Sequence, residues 1–131
     1  MSTRSTTHFK HGDHISSIVY RHWDGYPSGA GTDLYRFFAD IETATADTRF
    51  SDASYLAAKY VVWLSKKFAE KNDYDFLGVG VVLQDPGDIE YRYEIDCGHA
   101  GTYLEPKRPA VKCFDISADK YVEIPVGSVE S

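Results

Sequence analysis

One stretch of this chain concentrates residues that could do chemistry. In "SIVYRHWDGYPSGAGTDLYRFF", Ser17 to Phe38, the side chains of Tyr20, His22, Asp24 and Tyr26 share one parity. An extended backbone would set them on one face. An imidazole beside a carboxylate orients a general base or steadies a charged histidine. Ser28, Gly29, Gly31 and Thr32 follow, leading into a predicted helix, and bare amides at a helix start attract phosphate or carboxylate. On this reading Tyr20, His22, Asp24, Tyr26, Ser28, Gly29, Gly31 and Thr32 line a ligand site. The competing reading is a strand-to-helix corner. Asp24-Gly25 and Pro27-Ser28-Gly29 are turn chemistry, and Trp23 and Tyr26 could simply plug the end of a sheet. The glycine spacing lacks the G-x-G-x-x-G form of a dinucleotide fingerprint.

Other candidates are sparser. "YLEPKRPAVK", Tyr103 to Lys112, holds the densest basic run, and Lys107 and Arg108 could clamp a phosphate. His8, His11 and His14 are spaced by three, but Gly12-Asp13 predicts a turn that scatters them as surface histidines. Cys97, His99 and Cys113 lack the spacing of a zinc site. No metal and no cofactor is expected. No G-x-S-x-G occurs, and Asp75, Asp85 and Asp88 read as turn residues rather than a glycosidase pair. No residue is assigned a catalytic role.

The segment "YRHWDGYPSGAGTDL" resembles a motif of small uncharacterised bacterial and phage proteins. Its form is aromatic-x-His-x-Asp-Gly-Tyr-Pro-x-Gly-x-Gly, matched here by Tyr20, His22, Asp24, Gly25, Tyr26, Pro27, Gly29 and Gly31. The resemblance covers about a dozen residues and implies a bacterial or phage setting. It carries no activity with it.

The chain has 131 residues, which suits one domain. Fourteen basic and 20 acidic side chains give a net charge of −6, which disfavours broad nucleic-acid binding. No apolar run reaches the length of a membrane span or a signal-peptide core. Two cysteines, Cys97 and Cys113, make no disulfide framework, so the expectation is a reduced, cytoplasmic protein.

The elements that must position these residues are legible from periodicity. Residues 1–7 are expected to be loose. A short strand at His8–Lys10, the turn at Gly12-Asp13 and a strand over Ile15–Trp23 form an opening hairpin. Helix 1 spans Thr32–Ala44, with Thr32 as N-cap, Asp33 in the first turn and an apolar stripe of Leu34, Phe37, Phe38 and Ile41. Helix 2 runs from Asp52 to about Lys71, capped by Ser51 and closed by Asn72. Its stripe is Ala57, Val61, Leu64 and Phe68, broadened by Leu56, Tyr60 and Trp63. Leu77–Leu83, Ile89–Ile95, Val111–Ile116 and Tyr121–Val126 read as strands. Gly78 and Gly80 in the first of these predict close approach by a helix or by a ligand, the helix being the favoured reading.

The fold class is α+β. It predicts a two-layer ββααββββ arrangement, with a five- or six-stranded, mainly antiparallel sheet and two helices. The domain covers 8–127, and 128–131 are a flexible end. The expected function is binding: a small phage- or mobile-element-type protein sequestering an anionic, nucleotide-like host-defence signal. The sheet edge and aromatic content also suit a homo-oligomer. The alternatives are an inhibitor that binds a host protein, and a small hydrolase using His22 and Asp24.

Overall fold

The computed structural model describes residues 3–68, 77–102 and 104–125. The elements run β1 (Ser5–His11), β2 (His14–Arg21), a single π-helical turn (Pro27–Gly31), α1 (Thr32–Ala44), α2 (Ala53–Phe68), β3 (Val79–Val82), β4 (Tyr91–Asp96), a short 3-10 turn (Cys97–His99), β5 (Ala110–Asp115) and β6 (Lys120–Val122). One six-stranded sheet takes the order β3-β2-β1-β4-β5-β6. The class is α+β as expected. All ladders are antiparallel except β1 with β4, which run parallel.

The opening hairpin forms because Gly12 adopts φ +58 in the two-residue turn between His11 and His14, a conformation glycine reaches at no steric cost. Residues 1–7 were expected to be loose, yet Ser5, Thr6 and Thr7 are buried in β1. Their backbone is paired on both sides, with β2 and with β4. Three polar residues hid the strand, since a hydroxyl carries no apolar periodicity.

Registers divide the sheet cleanly. Ser5, Thr7, Phe9, Val19, Arg21, Tyr93, Ile95 and Cys113 share the inner face. Apolar members of this set, Phe9, Val19, Tyr93, Ile95 and Cys113, form one core with Leu34, Phe37, Phe38 and Ile41 of α1 and Leu56, Ala57, Tyr60 and Leu64 of α2. Burying such a side chain is worth about 1.5–3 kcal/mol. The stripe of α1 is the expected one. On α2 the buried line is Ala53, Leu56, Ala57, Tyr60 and Leu64, while Val61 and Phe68 are only partly buried. The opposite, outer face carries Thr6, His8, Tyr20, Arg92, Glu94, Phe114 and Tyr121.

Helix starts differ from expectation. Gly31 is already helical at φ −62, ψ −50, because Pro27 opens a π-turn after an extended Tyr26. Thr32 therefore does not cap; its hydroxyl donates to the Pro125 carbonyl at 2.6 Å. At α2 the cap is Asp52, not Ser51: its carboxylate accepts the Tyr55 amide at 3.2 Å. Lys71, Asn72, Asp75, Tyr103, Val126 and the 128–131 segment lie outside the described residues.

The two glycines of the β3 region are not packed by a helix. A Cβ at Gly78, where φ is +64, would lie 2.2 Å from the Trp23 ring, and one at Gly80 would meet only Tyr20 at 3.9 Å. An indole, rather than a helix, comes close to this backbone.

Candidate functional site

The β2–α1 corner is held by a buried ion pair. Arg21 ends β2 on the inner face, and its Nη1 donates to Asp33 Oδ2 at 2.9 Å, both side chains being 2 % exposed. Arg21 Nε donates to the Trp23 carbonyl at 2.6 Å, and the guanidinium carbon lies 4.9 Å from the Phe68 ring centroid. Two further cations reach the same carboxylate: Arg36 Nη1 at 3.1 Å and Lys67 Nζ at 3.5 Å. One buried negative charge is thus shared by three positive ones. Ser5 Oγ, Arg21 Nη2 and the Tyr60 hydroxyl, all buried, find no partner of good hydrogen-bond geometry among the described residues.

The glycines of the corner are set by packing. A Cβ on Gly25 would lie 2.6 Å from the Thr3 carbonyl oxygen and 2.8 Å from Ser5 Cβ. The Gly25 carbonyl accepts from the buried Tyr93 hydroxyl at 2.6 Å, and burial pushes the pKa of that phenol up. A Cβ on Gly29 would strike the Asp24 carbonyl at 2.4 Å, and one on Gly31 would strike Ile124 at 2.7 Å. The expected anion nest is also spent internally. Gly29 N–H donates to the Tyr26 carbonyl at 2.9 Å and Ala30 N–H to the Asp24 carbonyl at 2.8 Å. The Thr32 amide donates back to Gly29 and Pro27, so these three amides point into the corner itself.

The shared face expected for Tyr20, His22, Asp24 and Tyr26 does not form. The strand stops at Arg21, and Asp24 turns into the left-handed region at φ +56, which short polar side chains tolerate. Two local pairs result. The Tyr20 hydroxyl and His22 Nδ1 are 2.9 Å apart. The Tyr26 hydroxyl donates to Asp24 Oδ1 at 3.3 Å, and the Asp24 charge raises the Tyr26 pKa. Ser28 is exposed. The basic loop is elsewhere: Arg108 pairs bidentately with Glu42. Glu42 lies ten residues beyond Thr32 on α1, about 15 Å along the axis. Lys107 is tied by its amide to the Ala100 carbonyl. Neither joins the corner.

A second polar constellation sits on the outer face. His8 Nε2 and Asp85 Oδ1 are 2.8 Å apart, and Thr6 Oγ1 donates to the same oxygen at 2.7 Å. His8 was expected at the surface; it is 8 % exposed. Asp85 was read as a turn residue, but its loop folds it onto the sheet. Burial opposes its charge, yet the hydrogen bonds from His8 and Thr6 outweigh burial and hold its carboxyl below the usual range. Beside it, Arg92 lies 4.6 Å over the Phe114 ring and donates to Glu94 at 3.1 Å. Glu94 also accepts from the Tyr121 hydroxyl at 3.0 Å.

The remaining candidates separate. His11 turns toward α2, where its Nε2 accepts the Ala53 amide at 3.4 Å, and His14 is exposed. Among the described residues no three His, Cys, Asp or Glu side chains gather as metal ligands. Cys97 and Cys113 are free thiols in the core, pushed by burial up to about 12 and about 11, so neither is a thiolate near neutrality. No described helix is long and apolar enough to cross a membrane. No family model, curated protein or solved structure matches the chain.

Proposed function

We propose that the protein binds an anionic, nucleotide-like small molecule at the β2–α1 corner. The observation that supports this is the excess of positive charge on Asp33. Arg21, Arg36 and Lys67 converge on that one carboxylate, a local excess of positive charge in a chain whose net charge is −6. Arg36 and Lys67 are 53 % and 36 % exposed. They are therefore within reach of a ligand, while the Asp33 carboxylate, itself held by the buried Arg21, orients both. A guanidinium and an ammonium beside each other suit a phosphate or a carboxylate. Tyr26, 40 % exposed, adds an aromatic surface at the same corner.

The role is binding rather than catalysis. A phage or mobile element would use such a site to sequester a nucleotide-like host-defence signal. The test is thermal unfolding against nucleoside mono- and diphosphates, cyclic and linear dinucleotides, ADP-ribose and inorganic phosphate. A ligand at 100 times its Kd stabilises by about 2.7 kcal/mol, which moves Tm by several degrees for a domain of this size. The shift is expected to vanish in Arg36→Ala and Lys67→Ala. The absence of a shift with every compound overturns the reading and turns the search to a protein partner. Turnover of a compound that dies in His22→Ala would instead support a hydrolase.

A further inference from the structure

A groove of about 620 Å³ opens between α1 and α2, lined by Phe37, Asp40, Val62, Trp63 and three lysines, Lys59, Lys66 and Lys67. That volume suits a small-molecule ligand. The groove begins where the corner ends. Lys67 Nζ is 3.5 Å from Asp33 and 5.9 Å from the ring centroids of both Trp63 and Phe68. From there the lining follows α1 from Phe37 through Ile41 to Ala44, and α2 back from Lys67 to Lys59. Asp33 to Ala44 spans about 16 Å of helix.

Its chemistry is aromatic and cationic together. Lys59, Val62, Trp63 and Lys66 fall at helical spacing on one face of α2. Val62 is 54 % exposed, an apolar surface left open. Trp63 is held in place: its Nε1 donates to Asp40 at 2.7 Å, and its ring lies near-parallel to Tyr60, 14° between planes at 6.4 Å. Asp40, the one acidic residue of the lining, is thus engaged by the indole, and with Lys67 already on Asp33 the ammonium groups of Lys59 and Lys66 face that single carboxylate. A fixed indole edge, an open valine and flanking ammonium groups match a neutral planar π-ring joined to an anionic group.

We infer that this groove is the ring subsite of the corner: a nucleoside phosphate places its phosphates at Arg36 and Lys67 and its base against Val62 and Trp63. The inference rests on the corner reading and names the ligand as a whole nucleotide rather than a bare anion.

The test is calorimetric titration of the intact chain with ADP, UDP, adenosine and inorganic pyrophosphate, repeated with Val62→Gln and Trp63→Leu. Val62→Gln changes an exposed side chain and leaves the core untouched. ADP or UDP is expected to bind at least tenfold tighter than pyrophosphate. Val62→Gln is expected to remove most of that advantage while pyrophosphate affinity stays unchanged. In the Trp23→Phe background, where Trp63 is the sole indole of the two in the sequence, ADP quenches fluorescence and pyrophosphate does not. Equal affinity for nucleotide and pyrophosphate, unmoved by either variant, overturns the groove and leaves the corner standing. If neither nucleotide nor pyrophosphate binds, both fall. An acidic hexapeptide binding as tightly as ADP also overturns the nucleotide assignment.

Discussion

The β2–α1 corner and the His8–Asp85 pair are built from the same kinds of side chain but by opposite routes. At the corner, the partners are near in sequence: Arg21 reaches Asp33, 12 residues on. On the outer face, His8 reaches Asp85 across 77 residues. The corner buries its charge pair almost completely, while Asp85 keeps 26 % of its side chain exposed. A fully buried pair is costly to break and says little about function by itself. A pair whose carboxylate is partly exposed is cheaper to disturb, because water can replace part of what the partner supplied. The ion pair of the corner is thus made between neighbours along the chain, and topology alone brings the second pair together.

The largest loss is expected from Asp33→Ala. It strands Arg21 as a buried charge, with an expected loss of about 3–5 kcal/mol, read from the urea midpoint at constant m-value. Asp85→Ala is expected to cost less, about 1.5–3 kcal/mol, the worth of one hydrogen bond to a charged acceptor, because Asp85 is 26 % exposed and water replaces part of the pair. A loss in that range sets the two regions apart by burial; equal losses would erase the distinction.

Acid sharpens it further. The folded-state pKa of Asp85 is depressed, so the unfolded chain takes up its proton first as pH falls. Its contribution is fully present above the unfolded value near 4 and is lost as pH drops through the folded value. Asp85→Asn should therefore flatten the fall of stability below about pH 4. A slope unchanged in that variant would mean that other carboxylates, such as Glu94 and Asp96, whose values are also lowered, carry the effect.

Gly25→Ala tests whether the corner is fixed by packing. A methyl 2.6 Å from the Thr3 carbonyl should cost about 1–3 kcal/mol, seen as a lower Tm. The smallest effect belongs to Arg108→Ala. Its pair with Glu42 is on the surface, so stability should fall by less than about 1 kcal/mol, and nucleotide affinity should not change. A tenfold loss of affinity in Arg108→Ala would return the basic loop to the binding site.

These differences mark what the sequence discloses. Helix stripes were legible because Leu34, Phe37, Phe38 and Ile41 repeat at the helical period and all face the core. The hairpin was legible from Gly12. The inner strand residues Ser5 and Thr7 were not, since polar side chains buried by backbone pairing leave no apolar pattern. Arg21 shares its parity with Val19, yet an arginine in an alternating strand reads as a solvent residue. The corner glycines were visible, but their reason was not. Gly25 and Gly31 are required by Thr3, Ser5 and Ile124, residues outside the motif. His8 with Asp85 left no local signal, because the parallel β1–β4 pairing and the returning loop join segments far apart in the chain.

That parallel pairing has a temporal side. β1 is made before the other strands of its sheet, and its second neighbour, β4, ends at Asp96. From His11 to Asp96 is 85 residues, roughly 4–17 s of synthesis at 5–20 residues per second. For that interval the newborn hairpin carries a bare row of peptide groups on β1, flanked by Phe9. Such an edge invites pairing with another chain. Ser5, Thr6 and Thr7 on this strand, with His8 and Lys10 beside them, keep that waiting edge polar, so the composition that hid the strand from periodicity also protects it before its partner arrives.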